Sequence, residues 1–156
     1  MGDEVIPIRK PHVVAEVGGM VDESRVTLAI YGDDLDPESI SKMAGCNPTH
    51  AHRKGDRKTE SSPPFRTGAW LLTVEGKAPQ GPNDLIRLLL DRFPSEPAFW
   101  RPLSDRYQIS VRVGIHTGGW NRGFDLEPAT IAAVSILGGI LGFDLYFYGE
   151  EGDDGV

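Results

Sequence analysis

The segment Thr49-His50-Ala51-His52-Arg53-Lys54-Gly55-Asp56 concentrates the side chains of this chain that are best suited to chemistry. In an extended backbone His50 and His52 project to the same side, so two imidazoles can hold one divalent metal, with Asp56 or His116 completing the set. That pattern alone specifies little, because no Cys ligand pair and no HExxH run accompanies it. The segment is also a cationic island. Arg53, Lys54, Arg57, Lys58 and Arg66 offer donors, and Gly55 lets the backbone turn its amides toward a phosphate or a carboxylate-rich protein surface. Trp70, on the apolar run that follows, joins His50, His52, Arg53, Lys54, Asp56 and Arg66 as a binding candidate. The plain alternative is a cationic surface loop in which Asp56 sets a turn.

Other chemistries lack their residues. No GxxxxGK[ST] run cradles a nucleotide, no GxSxG elbow presents a serine, and Cys46 has no sequence-adjacent base to activate it. The carboxylates Asp33, Asp34 and Asp36, and likewise Asp125 with Glu127, stand just before a proline that opens a helix-like run. Capping and turn formation explain that placement better than a divalent-cation cluster. No catalytic residue and no cofactor is assigned.

The elements that must position these groups are announced by a repeated phrase. Gly32-Asp33-Asp34-Leu35-Asp36-Pro37-Glu38-Ser39-Ile40 returns as Gly123-Phe124-Asp125-Leu126-Glu127-Pro128-Ala129-Thr130-Ile131. Each copy follows a β-like run and opens a helix-like one: Asp36 is placed to cap, and Pro37 and Pro128 fit a first helical turn. The copies lie too far apart for a solenoid repeat and suit a doubled βαβ unit. Strands are expected at 26–31, 69–75, 107–115 and 142–148, each alternating or bounded by glycine. Between them Asn83 caps a helix over 84–93, whose Leu85, Leu88 and Leu89 form an apolar stripe and which Pro94 ends. Residues 95–104 read as a Pro-rich connector and 49–67 as a long loop or a short strand followed by one. The fold class expected is α+β: a ferredoxin-like two-layer sandwich built from two repeated βαβ halves, with a mostly antiparallel sheet and helices on one face. Residues 26–148 form its single domain, 1–25 an irregular arm in which 12–17 can add an edge strand, and 149–156 an acidic tail.

Composition sets the remaining bounds. At 156 residues the chain suits one domain without a metal or disulfide staple. One cysteine cannot pair within the chain, and the start carries no basic-then-apolar leader pattern, so a cytoplasmic location is expected. The longest apolar stretch, 131–143, is too short to span a bilayer. A net charge of −7 disfavours nucleic acid, whose binding needs a basic face, and membrane association has no signal.

Tyr31-Gly32-Asp33-Asp34-Leu35-Asp36-Pro37-Glu38, followed by Pro48-Thr49, Lys54-Gly55-Asp56, Trp70 at a strand start and the closing Leu141-Gly142-Phe143-Asp144-Leu145-Tyr146, resembles a bacterial family catalogued as domain of unknown function 4279. The resemblance covers the chain from about Val26 to Tyr148 and implies a small stand-alone cytoplasmic domain without supplying an activity. The reading is therefore a non-enzymatic binding or protein-interaction domain, immunity- or adaptor-like, whose partner is a protein or a small anion. The competing class is a small metal-dependent enzyme using His50, His52 and Asp56, and homodimerisation through the sheet is a third reading, recognised by mass in solution.

Overall fold

The computed structural model describes residues 18–119 and 121–149. The arm before residue 18, with its expected strand at 12–17, and the acidic tail from residue 150 lie outside the described residues. The elements are β1 (Gly19–Met20), β2 (Glu23–Gly32), α1 (Pro37–Ala44), β3 (His50–His52), β4 (Gly68–Lys77), α2 (Pro82–Leu90), α3 (Pro97–Arg106), β5 (Gln108–Thr117), β6 (Arg122–Gly123), α4 (Pro128–Ile136) and β7 (Ile140–Phe147).

Five strands form the main sheet in the order β3-β4-β2-β5-β7, while β1 and β6 make a small parallel ribbon. Every pairing in the main sheet is antiparallel except β5 with β7. The expected α+β class with a mostly antiparallel sheet is what is observed. The alternation in β2 decides which face is core: Val26, Leu28 and Ile30 lie in rows with Val74, Leu72 and Trp70 on one side and Val113, Val111 and Ile109 on the other, all buried. Leu85, Ile86 and Leu89 of α2 close over those rows. On the opposite face Thr27 meets Thr73 through their hydroxyls at 2.8 Å, and Arg25 pairs with Glu75 at 2.5 Å. One face is thus apolar and covered, the other polar.

Each copy of the repeated phrase opens a crossover helix. β2 and β3 both run antiparallel to β4 and are therefore parallel to each other, so β2-α1-β3 is a βαβ unit split by β4. β5-α4-β7 is a βαβ unit whose parallel strands are adjacent. The two units thus differ in construction, and β4, α2 and α3 stand between them. From β2 to β5 the elements run strand-helix-strand-strand-helix-strand, with α3 inserted before β5 and α4-β7 added after it. The repeat describes two strand-to-helix corners rather than two interchangeable halves.

All four helices begin on a proline, where the missing N–H costs nothing. This includes α3, which occupies the stretch expected as a connector. Pro97 starts it, Trp100 and Leu103 are its buried side chains, and Pro102 is tolerated on the exposed side. Asn83 corrects another expectation. The N-cap of α2 is Gly81, and the Asn83 carboxamide oxygen instead accepts from the Glu127 N–H at 2.9 Å and the buried Thr130 hydroxyl at 2.7 Å, bracing the start of α4. Removing it leaves both donors short of a partner, so Asn83→Ala lowers unfolding free energy by about 1–2 kcal/mol. Urea denaturation checks this, and a change below a few tenths contradicts the brace.

Candidate functional site

β3 is the outermost strand on one edge of the sheet, paired to β4 with His50 opposite Leu71 and His52 opposite Ala69. Ala51 between them packs toward the core, which leaves both imidazoles on the other side, as an extended backbone requires. His50 Nε2 and His52 Nδ1 are 3.0 Å apart, and the His52 ring stacks on Phe65 with centroids 3.6 Å apart. Burial, and then the neighbouring His50, push the His52 imidazole below its ordinary 6.5. The unfolded chain accordingly takes up a proton more readily than the folded one. The contribution of His52 to stability is present above 6.5 and is lost as pH falls below that value. An NMR titration should place the His52 midpoint under 6.5; a midpoint at or above that value contradicts the packing.

The loop after β3 folds back on itself. Asp56 accepts the Arg53 N–H at 2.8 Å while its own N–H returns to the Arg53 carbonyl at 3.1 Å, so it sets a turn. Gly55, at φ +90°, donates to the Phe65 carbonyl at 2.9 Å, and Phe65 donates to the Asp56 carbonyl at 2.8 Å. Those amides are spent inside the loop. The expectation that Gly55 would aim backbone N–H groups at an anion is corrected on that account.

Opposite the loop stands the acidic corner between β2 and α1, and the two are complementary. Arg53 reaches Asp36 at 2.6 Å and also pairs with Glu38, while Lys54 pairs with Asp33 at 2.7 Å. The third carboxylate, Asp34, pairs with Arg106 at the end of α3, also at 2.6 Å. The Asp36 carboxyl is held down to about 2, chiefly by the hydrogen bond it accepts from Ser39, with Glu38 and Arg53 adding to the effect. Lys54 lowers Asp33 in the same sense, and Asp34 raises Arg106. Although Asp36 occupies the N-cap position, its side chain makes no capping hydrogen bond to the helix amides. Asp33 and Asp36, with Glu38, therefore serve as the dock for the cationic loop, while Asp34 ties the end of α3 to the same corner, roles absent from both the capping and the cation-cluster readings.

Of the sequence-derived candidates, His50, His52, Arg53, Lys54 and Asp56 come together around β3, and Arg66 lies exposed on the returning limb of the loop. A cleft of about 500 Å³ separates α1 from this loop and is lined by Glu38, Ser41, Asn47, His52, Arg53 and Asp56, among others. Trp70 belongs elsewhere. It is fully buried, donates its indole N–H to Ser41 Oγ at 3.0 Å and meets Phe93 edge-on, so it is a core residue and not part of a binding face.

The metal reading finds two imidazoles without a third ligand. Asp56 is turned onto Arg53, and His116 lies on β5, stacked on Tyr146 at 4.7 Å. Among the described residues no group of three or more His, Cys, Asp or Glu is placed to hold an ion. Burial raises the Cys46 thiol, which opposes a nucleophilic role. Residues missed by sequence reasoning are Glu38, Phe65 and Arg106; the aromatic Phe65 next to Pro63-Pro64 in a polar loop was the available signal.

No helix among the described residues is long and apolar enough to cross a membrane. No match is found among curated proteins or among solved structures. Residues 22–148 match the family described as Domain of unknown function (DUF4279). With a match that runs from the strand leading into the acidic corner to the end of β7, the chain belongs to that family.

Proposed function

We propose that this chain is a non-enzymatic, cytoplasmic binding domain that works by protein contact, with the β3 edge and the 50–66 loop as its contact face. The observation that carries the reading is how the loop's charge is divided. Arg53 and Lys54 are consumed by the acidic corner, which fixes the loop in place. Arg57, Lys58 and Arg66 are exposed and in no ion pair among the described residues, so the loop that carries the stacked His52 and Phe65 rings also presents uncompensated positive charge in an otherwise acidic protein. Side-chain donors on a loop that also carries aromatic rings suit a carboxylate-rich protein segment better than a small anion, since the amides of Arg53, Gly55, Asp56 and Phe65 are already occupied.

The test uses a pool of Glu- and Asp-rich peptides followed by NMR of the labelled protein, with Zn²⁺ titrated in parallel. Shifts confined to the 50–66 amides, abolished in an Arg57→Glu, Lys58→Glu, Arg66→Glu variant that keeps its fold, are the expected result. Stoichiometric Zn²⁺ uptake that needs His50 and His52, with no peptide response, overturns the reading in favour of a metal site.

A further inference from the structure

The opposite edge of the sheet poses a different question. Among the described residues β7 is joined to the sheet only through β5, and an exposed edge strand usually carries Lys, Pro or a bulge to discourage pairing. β7 has a single charge, Asp144, in the run Ile140-Leu-Gly-Phe-Asp-Leu-Tyr-Phe147. Its register with β5 puts Phe143 and Leu145 on the helix-covered face, yet they remain 41% and 74% exposed, and Tyr146 on the polar face is 52% exposed. α4 covers them incompletely: it is apolar all round, and its Ile131 is itself 54% exposed. Taking about 150–250 Å² per aromatic side chain, the exposed parts of Ile140, Phe143, Leu145, Tyr146 and Tyr148 come to roughly 600 Å². With Ile131 and Phe124 the exposed apolar surface flanking this edge, counted over both faces of the sheet, comes to about 750 Å², of the order of the ~800 Å² per partner of a stable interface.

We propose that β7 pairs with β7 of a second copy of this chain, antiparallel across a two-fold axis at Phe143, to make one continuous ten-stranded sheet. The register follows from charge. Arg112 on β5 stands opposite Gly142, and its guanidinium lies over that glycine in the space a side chain would fill, toward the open edge. Neither Arg112 nor Asp144 has an ion-pair partner among the described residues. With the axis at Phe143, Asp144 of each copy faces Gly142 of the other and so meets the other's Arg112, twice by symmetry. The same register sets Phe143 against Phe143 and Leu141 against Leu145 on the apolar face. An axis at Asp144 would instead bring two carboxylates together, which is unfavourable. The contact is isologous and closes, leaving β3 and its loop free at both ends of the extended sheet. It is independent of the proposed contact face.

The test is sedimentation equilibrium on the full chain across a concentration series. A dimer is expected, with Leu145→Lys weakening it at least tenfold. Asp144→Arg and Arg112→Asp should each weaken it, and the two combined should restore it, since the swap rebuilds both ion pairs. These two side chains are exposed, so the swap remains informative where Leu145→Lys fails to fold, which far-UV circular dichroism reports. A wild-type chain that stays monomeric overturns the proposal, and so does a dimer indifferent to the charge changes or one whose double variant is not rescued.

Discussion

Trp70→Ala removes about 3–5 kcal/mol of stability, the largest loss expected from any single truncation in this fold. The indole is fully buried at the start of β4, between Ile30 on β2 and Ala51 on β3, with Phe93 at its edge and Ser41 of α1 at its N–H. Truncation opens a cavity where the sheet, α1 and the end of α2 meet, and the surrounding β4 backbone is paired on both sides and cannot collapse into it. At roughly 2–4 °C per kcal/mol for a chain of this size, the thermal midpoint falls by about 10–15 °C. Trp70→Phe keeps most of the ring contact and gives up the Ser41 bond, so it costs less than half as much. Because Trp70 also holds α1 against the sheet, and α1 carries Glu38, the truncation loosens the 50–66 loop as well. Thermal unfolding followed by far-UV circular dichroism measures the first effect. Hydrogen exchange at Gly55 and Phe65 measures the second. A loss under 1 kcal/mol would contradict the burial of Trp70 in the core.

Local periodicity carried most of the sheet into view. The parity of Val26, Leu28 and Ile30 and the proline-opened corners are properties of short windows, and each appears in the fold where the window places it, whereas the apolar stripe of α2 is shifted: Leu85, Ile86, Leu89 and Leu90 are buried and the expected Leu88 is 45% exposed. What short windows cannot show is which distant surfaces meet. The cationic island and the acidic trio are both conspicuous in the sequence, yet their complementarity arises only because the crossover helix α1 returns the chain to β3 beside the corner it left. Asn83 reads as a cap for its own helix because the side chain suits that role, but Thr130 and Glu127 stand across a helix–helix contact and claim it. α3 was hidden for a third reason. Pro94, Pro97 and Pro102 look like breakers when counted together, although Pro97 sits where helices start and Pro102 faces solvent. Of the candidate site, the common side of His50 and His52 was legible from strand geometry. The stacking of His52 on Phe65 depends on a loop closure that no spacing rule encodes.

Gly139→Ala carries the second large effect, and it acts where α4 hands the chain to β7. A Cβ at Gly139 would collide with the Ile109 carbonyl oxygen and lie 2.8 Å from its carbonyl carbon, backbone atoms of a central strand held by Ile30 on the other side. Such overpacking costs about 2–3 kcal/mol, because neither β5 nor its buried neighbours can yield. Relief comes most readily from β7, whose only strand partner among the described residues is β5, so the entry of β7 moves outward. Two other glycines, Gly138 beside it and Gly123 in β6, separate the clash from the generic cost of replacing glycine. Gly138 has φ +65°, and a Cβ there meets only Ser104, whose hydroxyl can rotate away and whose Cβ, at 3.0 Å near the end of α3, needs to give by a few tenths of an ångström, so Gly138→Ala costs about 1–2 kcal/mol, chiefly for its left-handed backbone. Gly123 has nothing within 4 Å of a Cβ and no positive φ, so Gly123→Ala is neutral. The expected order of urea midpoints is Gly123→Ala highest, then Gly138→Ala, then Gly139→Ala. If β7 is also the dimer strand, Gly139→Ala weakens self-association beyond its effect on folding, whereas Gly138→Ala does not. Equal midpoints for the Gly138 and Gly139 variants would show that β7 already has room to shift, and with it the register on which the two-fold pairing depends.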